Sequence, residues 1–336
     1  MEGKMSTDRV RLIDVAAAAS VTKSIASRVL NEDPSLVVQP RTRMRVLNAA
    51  KQLGYRPHPG ARALATARTM TLALIAPALD NPPYVTISRG AFRRASELGY
   101  LSLLAEDRDD HPVEGNIVDG GRVDGVLMGS AYTGHPLVER LAHSGVPHVF
   151  LNRSIAGSGR NVTMDVGAAS RLAVDHLQGL GHQRIVHLAG PRNIEPSAVR
   201  TEAFNKAIQE AGLPVLDVVH ADFTEADAYR AMPHLLRSAP TAIYTSSLGQ
   251  GIGALRALAD AGIRVPHDMS IVAFDDFPVA EYVVPRLTAI RMPLLELGAA
   301  AVEALVAQLE GGEPADVTVD LPGTLVIRES TGPVPA

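Results

Sequence analysis

Lys23 and Arg28 lie five residues apart in a stretch whose other polar side chains are all short: Thr22, Ser24 and Ser27. Cations of this length donate to guanine O6 and N7, and short hydroxyls reach bases or phosphates. If a helix begins near Thr22, then Thr22, Lys23 and Ser24 occupy its first turn, with Ser27 and Arg28 one turn on. That placement suits a helix entering the major groove of DNA. A second constellation implies different chemistry. Gly249-Gln-Gly251-Ile-Gly253-Ala254 follows an apolar run and opens a helical stretch, and Asp275 stands about 20 residues farther on, as the ribose-binding acid of a dinucleotide site does. The competing reading is therefore an enzyme using the Gly249-Gly251-Ala254 motif, although a lone glycine pattern is weak support. The 11 histidines are scattered, and His176, His182 and His187 lack the i, i+4 spacing of a metal-binding pair. There is no nucleophile elbow and no cysteine, so no catalytic residue, metal or cofactor is expected.

The elements that would position the basic residues can be read from apolar spacing. Leu12, Val15, Ala16 and Ala19 form one helical stripe; Ile25, Ala26, Val29 and Leu30 form a second, with Thr22 as its cap. Pro40 opens a third helix carrying Val46, Leu47, Ala50 and Leu53 inward and Arg41, Arg43, Arg45 and Lys51 outward, and Gly54 ends it. The Pro- and Gly-rich run 55–60 reads as a linker. Residues 61–65 make a short alanine-rich turn around Leu64, too short to be stable alone and expected to order only on DNA.

Composition separates these residues from the rest. Residues 1–68 hold 12 Lys and Arg against 5 Asp and Glu, whereas the remainder holds 20 against 31. A basic head on an acidic body fits an anionic partner held at one end. No apolar stretch reaches 18 residues, and the N-terminal residues carry charges of both signs, so a cytoplasmic protein without membrane contact is expected. From Met70 onward, apolar runs at 71–77, 101–106, 125–128, 147–151, 184–189, 241–245 and 270–274 alternate with helical stripes at 84–98, 136–144, 168–180, 198–211 and 251–261. This rhythm predicts an α/β body of doubly wound parallel sheets in two lobes, with a break near 161–165. The run 107–125, rich in Gly, Pro and Asp, is expected to form a loop or frayed helix.

Leu12-Ile-Asp-Val-Ala, the segment Ser20 to Asn31, Leu53-Gly-Tyr-Arg-Pro57 and Ala61-Arg-Ala-Leu-Ala65 together resemble the headpiece and hinge of the lac-repressor family of bacterial transcriptional regulators. Leu188-Ala-Gly-Pro191, the segment Val265 to Asp276 and Leu287-Thr-Ala-Ile-Arg-Met-Pro293 resemble that family's core. The resemblance implies an all-α helix-turn-helix headpiece (1–56), a hinge (57–69) and a core like that of periplasmic binding proteins (70–336). The core's N-lobe is expected at about 70–160 plus 291–318 and its C-lobe at about 161–290 plus 319–330. It further implies a repressor, acting as a homodimer on double-stranded, pseudo-palindromic operator DNA and controlled by a small-molecule effector in the cleft between lobes. Thr22, Lys23 and Ser24 fall on base-reading positions, Ser27, Arg28, Asn31 and Tyr55 on positions contacting phosphate or base, and Leu64 on the leucine that wedges into the minor groove. Arg200 matches the effector-gripping arginine, and Tyr84, Asn152, Tyr244, Ser246 and Asp275 lie near the strand ends where ligands of such sheets bind. Ser246 and Ser247 stand where relatives usually carry Asn-Asp, which leaves open whether the effector is sugar-like or another metabolite.

Overall fold

The computed structural model describes residues 10–31, 33, 35–56, 60, 68–108, 113, 116–216 and 218–334. The chain divides into two units, Met1–Met70 and Thr71–Ala336. The described residues of the first include the helices α1 (Leu12–Ala18), α2 (Lys23–Leu30) and α3 (Pro40–Gln52). Their inward stripes meet in one small core of Val15, Ala16, Ala19, Ala26, Val29, Val46, Ala49 and Ala50. Side chains this small let three short helices approach closely. Local chemistry sets the boundaries. Asp14 accepts the backbone N–H of Arg11 at the start of α1, Thr22 caps α2, and proline fixes the first turn of α3.

The second unit is α/β, as its apolar rhythm predicts. Its first sheet begins with β1 (Thr71–Ala76), β2 (Leu101–Glu106), β3 (Gly125–Met128), β4 (His148–Leu151) and β5 (Asn161–Met164), connected through α4 (Pro82–Glu97), α5 (Asn116–Asp119) and α6 (Pro136–Ser144). The chain then crosses to a second sheet through α7 (Val166–Gly179). There β6 (Ile185–Ala189), β7 (Val219–His220), β8 (Ala242–Thr245), β9 (Ser270–Phe274) and β10 (Thr288–Arg291) alternate with α8 (Glu195–Glu210), α9 (Glu225–Leu235) and α10 (Leu248–Asp260). It returns as α11 (Leu294–Leu309), which packs on α4. Finally β11 (Val317–Val319) joins the first sheet and β12 (Thr324–Val326) the second.

The strand orders are β11-β5-β4-β3-β1-β2 and β12-β10-β9-β8-β6-β7. Within each the registered pairs are parallel except β10 with β12. Every residue of β3, β4, β6, β8 and β9 is buried, the signature of strands covered by helices on both faces. Each sheet is a lobe, and the carboxyl ends of its strands form one edge. Within 107–125 α5, of four residues, is the one helix among the described residues. Among the described residues no helix is long and apolar enough to cross a membrane.

Candidate functional site

In the three-helix unit, Lys23 and Ser24 are exposed at the start of α2. Thr22 spends its hydroxyl oxygen on the N–H of Ile25 at 3.3 Å, so it shapes the helix start. Asn31 Nδ2 donates to Ser27 Oγ at 3.4 Å, and Tyr55 packs against the core. Arg28 does not extend freely. Its Nε donates to Asp33 Oδ2 at 2.7 Å and its Nη2 to Ser35 Oγ at 2.9 Å. Leu64 lies outside the described residues.

The second unit gathers its chemistry at the carboxyl edge of the second sheet. Arg200, one and a half turns into α8, is buried with its guanidinium carbon 4.3 Å from the centre of the Phe274 ring and 5.7 Å from that of Phe223. The two aromatic faces favour the cation and shield it from water. Asp275 is the first residue beyond β9 and holds a left-handed φ of 69°, a conformation seldom adopted outside glycine. Burial pushes its carboxyl up to about 7, with Arg200 pulling the other way. Burial likewise weakens the Arg200 charge, which Asp275 helps to hold. Arg200 Nε, Asp275 Oδ1 and Ser197 Oγ are all buried without a hydrogen-bond partner among the described residues. An orphaned buried polar atom costs about 1–3 kcal/mol, so three together constitute stored binding capacity.

In the other lobe Asn152 follows β4 with a left-handed φ of 61° and is half-buried. At the start of α8, burial raises the Glu195 carboxyl above the usual carboxylate range, with Ser154, Arg153 and Arg200 pulling it down.

Three other residues expected at the effector are placed differently. Tyr84 is buried over Gly129 and donates its hydroxyl to that residue's carbonyl at 2.7 Å. Tyr244 is fully buried, its ring stacked 5.0 Å from His187, and burial pushes its phenol up to about 12. Ser246 is 1% exposed, with its hydroxyl 2.8 Å from His187 Nε2 and its N–H on Gln250 Oε1. These side chains build the floor beneath the site. His187 itself is held neutral, its pKa driven down to about 3 by burial and by Arg200. Sequence reading passed over His187, Ser197, Phe223 and Phe274. The one signal pointing to His187 is a polar side chain inside an otherwise apolar, wholly buried strand.

The glycines of the dinucleotide reading have a packing use of their own. A Cβ on Gly253 would lie 2.1 Å from the carbonyl oxygen of Glu225, and one on Gly249 2.7 Å from that of Phe223. The glycines let α10 approach α9 and the loop before it. Ser247 caps the helix start by accepting the N–H of Gln250, and the Gln250 amide donates to the carbonyls of Ala189, Ala221 and Asp222. The strand ends that would face a pyrophosphate are already bonded to protein. Among the described residues no group of three metal-binding side chains occurs.

A helix-turn-helix unit joined to a two-lobed α/β core with polar groups converging on its cleft defines a ligand-responsive DNA-binding regulator. Residues 11–58 match the model of the bacterial regulatory proteins of the lacI family, and residues 174–331 that of the periplasmic binding protein-like domain. The chain is 33% identical over 333 residues to catabolite control protein A of Priestia megaterium, covering 96% of this chain and 99% of that one. Among solved structures it resembles the transcriptional regulator CelR in complex with cellobiose (TM-score 0.72, 32% identity, covering 96% of this chain and 100% of that one). It also resembles the lac repressor dimer bound to operator and the anti-inducer ONPF (TM-score 0.82, 26% identity, covering 97% and 100%). The protein belongs to the lacI family and is a DNA-binding transcriptional regulator.

Proposed function

We propose that this protein is a cytoplasmic repressor whose affinity for its operator is set by a sugar-like effector held between Arg200 and Asp275. The observation that carries this reading is the set of buried, unpartnered atoms, Arg200 Nε, Asp275 Oδ1 and Ser197 Oγ. An N–H donor, a carboxyl acceptor and a hydroxyl that does either suit adjacent hydroxyl groups, and the Phe223 and Phe274 rings beside Arg200 suit the apolar face of a sugar ring. The binding of cellobiose by CelR supports the same class. DNA is read by the headpiece, 1–56, through Lys23, Ser24 and Arg28, and the hinge 57–69 carries the signal from the core, 70–336. The acting species is a homodimer that spans two half-sites about 34 Å apart. Exposed apolar side chains on both lobes, Leu101 and Leu104 on β2 and Val279, Tyr282 and Val284 in the C-lobe, support a self-complementary face.

The test begins with genomic fragments retained by the purified chain, which supply the operator. Mono- and disaccharides, cellobiose included, are then titrated against the bound operator by fluorescence anisotropy. One of them should shift operator affinity in the native chain. Arg200→Ala should bind the operator normally and need roughly 10- to 100-fold more effector, since a charge-assisted hydrogen bond is lost. A normal response in that variant would remove Arg200 from the site.

A further inference from the structure

The connection between α2 and α3 is organised around one carboxylate. Asp33 Oδ1 accepts from the backbone N–H of Ser35 at 2.8 Å and from its hydroxyl at 2.7 Å, while Oδ2 accepts from Arg28 Nε at 2.7 Å. Ser35 Oγ in turn accepts from Arg28 Nη2 at 2.9 Å. The Asp33 backbone N–H is also tied to the carbonyl of Arg28, at 3.0 Å. These contacts hold the Asp33 carboxyl well below the usual carboxylate range, at about 2, with Arg28 the largest cause. Asp33 is therefore charged at every pH at which DNA stays paired.

Exposed arginine-carboxylate pairs are common and contribute little to stability. This one differs in what it leaves free. A guanidinium has five N–H donors in a rigid plane. Asp33 and Ser35 take the edge formed by Nε and one Nη2 hydrogen. The opposite end, formed by Nη1 and the second Nη2 hydrogen, has no partner among the described residues, and it is the end that grips guanine O6 and N7 in a two-pronged contact. The Arg28 side chain is partly exposed, at 42%.

We infer that Asp33 and Ser35 are positioning residues for base recognition: they fix the plane and direction of the Arg28 guanidinium before DNA arrives, so that the headpiece is preset for a guanine. The inference rests on the reading of Arg28 as a base contact. Ordering a long side chain on binding costs affinity, and a side chain ordered beforehand avoids that loss. Asp33 also imposes a penalty. A carboxylate beside the phosphate backbone repels it wherever the protein lands, and only a guanine at the right step gives the oriented arginine its compensation. One residue thus strengthens the cognate contact and weakens generic binding.

That pair of opposite effects is the test. Full-length native protein, Arg28→Ala, Asp33→Ala, Asp33→Asn and Ser35→Ala are each used to select from a random duplex library, and their affinities for the selected site and for random duplex are measured across a salt series. Arg28→Ala should flatten the preference at one base pair by roughly 5- to 150-fold. Asp33→Ala should weaken the preference at that same pair by roughly 2- to 12-fold while binding random duplex more tightly than the native chain. Asp33→Asn, which keeps a neutral acceptor for Nε, should fall between, and Ser35→Ala should show a smaller loss of preference with random binding unchanged. Thermal melts establish that each headpiece is folded. If Arg28→Ala leaves every position as selective as before, the base-reading assignment itself is lost. If Arg28→Ala flattens a position but Asp33→Ala and Ser35→Ala do not, the assignment stands and the positioning role is overturned. A fall in both cognate and random binding for Asp33→Ala would also overturn it, because loss of turn structure alone predicts that result.

Discussion

Each lobe carries an aspartate just beyond a strand, one at the edge of its sheet and one inside it, and their surroundings are opposite. Asp107 is the first residue beyond β2 and Asp275 the first beyond β9. Asp107 is saturated. It accepts from Ser130 Oγ at 2.6 Å and from the backbone N–H of Val113 at 2.9 Å, and His135 Nε2 lies 3.1 Å from its Oδ2. His135 Nδ1 accepts the N–H of Leu137. Asp275 is buried equally deeply, yet among the described residues its Oδ1 has no partner, and neither has Ser197 Oγ or Arg200 Nε. Sheets of the same topology thus use the carboxyl ends of their strands in two ways. Where polar atoms are satisfied by protein, the edge supports the fold. Where they are left unsatisfied, the edge withholds hydrogen bonds from folding and keeps them for a ligand.

The largest effect should come from the saturated side. Asp107→Ala removes the acceptor of the buried Ser130 hydroxyl and of the partly buried Val113 N–H and leaves a void beside His135, and chemical unfolding should show a loss of about 3 kcal/mol or more. A loss below about 1 kcal/mol would mean that the N-lobe cluster is not structural, and the contrast with Asp275 would disappear.

Acid should sharpen the contrast from the other side. The His187 pKa falls from 6.5 when unfolded to about 3 when folded, so the unfolded chain takes up a proton first. The stability contributed by neutral His187 is complete above about pH 6.5 and is lost as the pH drops toward 3, about 2 kcal/mol of it by pH 5. Burial lowers His176, His182 and His148 in the same direction. Asp275 opposes them. Its folded pKa, about 7, lies above the unfolded 3.8, so acidification from pH 7 favours the folded state. In the native chain the two trends partly cancel between pH 7 and 5. Asp275→Asn removes the opposing group, and its unfolding free energy should fall over that interval more steeply than that of the native chain by about 2 kcal/mol or more. Parallel pH profiles would show that Asp275 is not an unsatisfied, buried acid.

Much of this architecture was legible beforehand, for identifiable reasons. The seven apolar runs correspond to β1–β4, β6, β8 and β9 because parallel strands covered on both faces leave little room for polar residues. The strands that escaped, β5, β7, β10, β11 and β12, have two to four residues each; three of them, β7, β11 and β12, have no fully buried position, so no apolar run marks them. Helix α9 carries an internal proline and a mixed surface, which hid its period. At the site, Arg200, Asp275 and Asn152 could be named because each occupies a position fixed by its motif or strand end. Tyr244 and Ser246 were named on the same ground, yet they point into the layer beneath α8, a direction set by strand parity. His187, Ser197, Phe223 and Phe274 come from four separate elements and meet only in three dimensions, so no spacing along the chain announces them.

The smallest and cleanest separation uses two serines. Ser130 and Ser197 are both buried, one donating to a carboxylate and the other without a partner among the described residues. Truncation to alanine removes the same oxygen in both places. In Ser130→Ala the lost bond was made, and although Asp107 keeps the Val113 N–H, stability should fall by about 1–2 kcal/mol. In Ser197→Ala the removed oxygen contributed only desolvation cost, so stability should stay within about 0.5 kcal/mol of native or rise, while the effector concentration needed to shift operator binding should increase. Equal destabilisation by the two substitutions would show that the Ser197 hydroxyl is satisfied in solution, and the division of labour between the lobes would lose its physical basis.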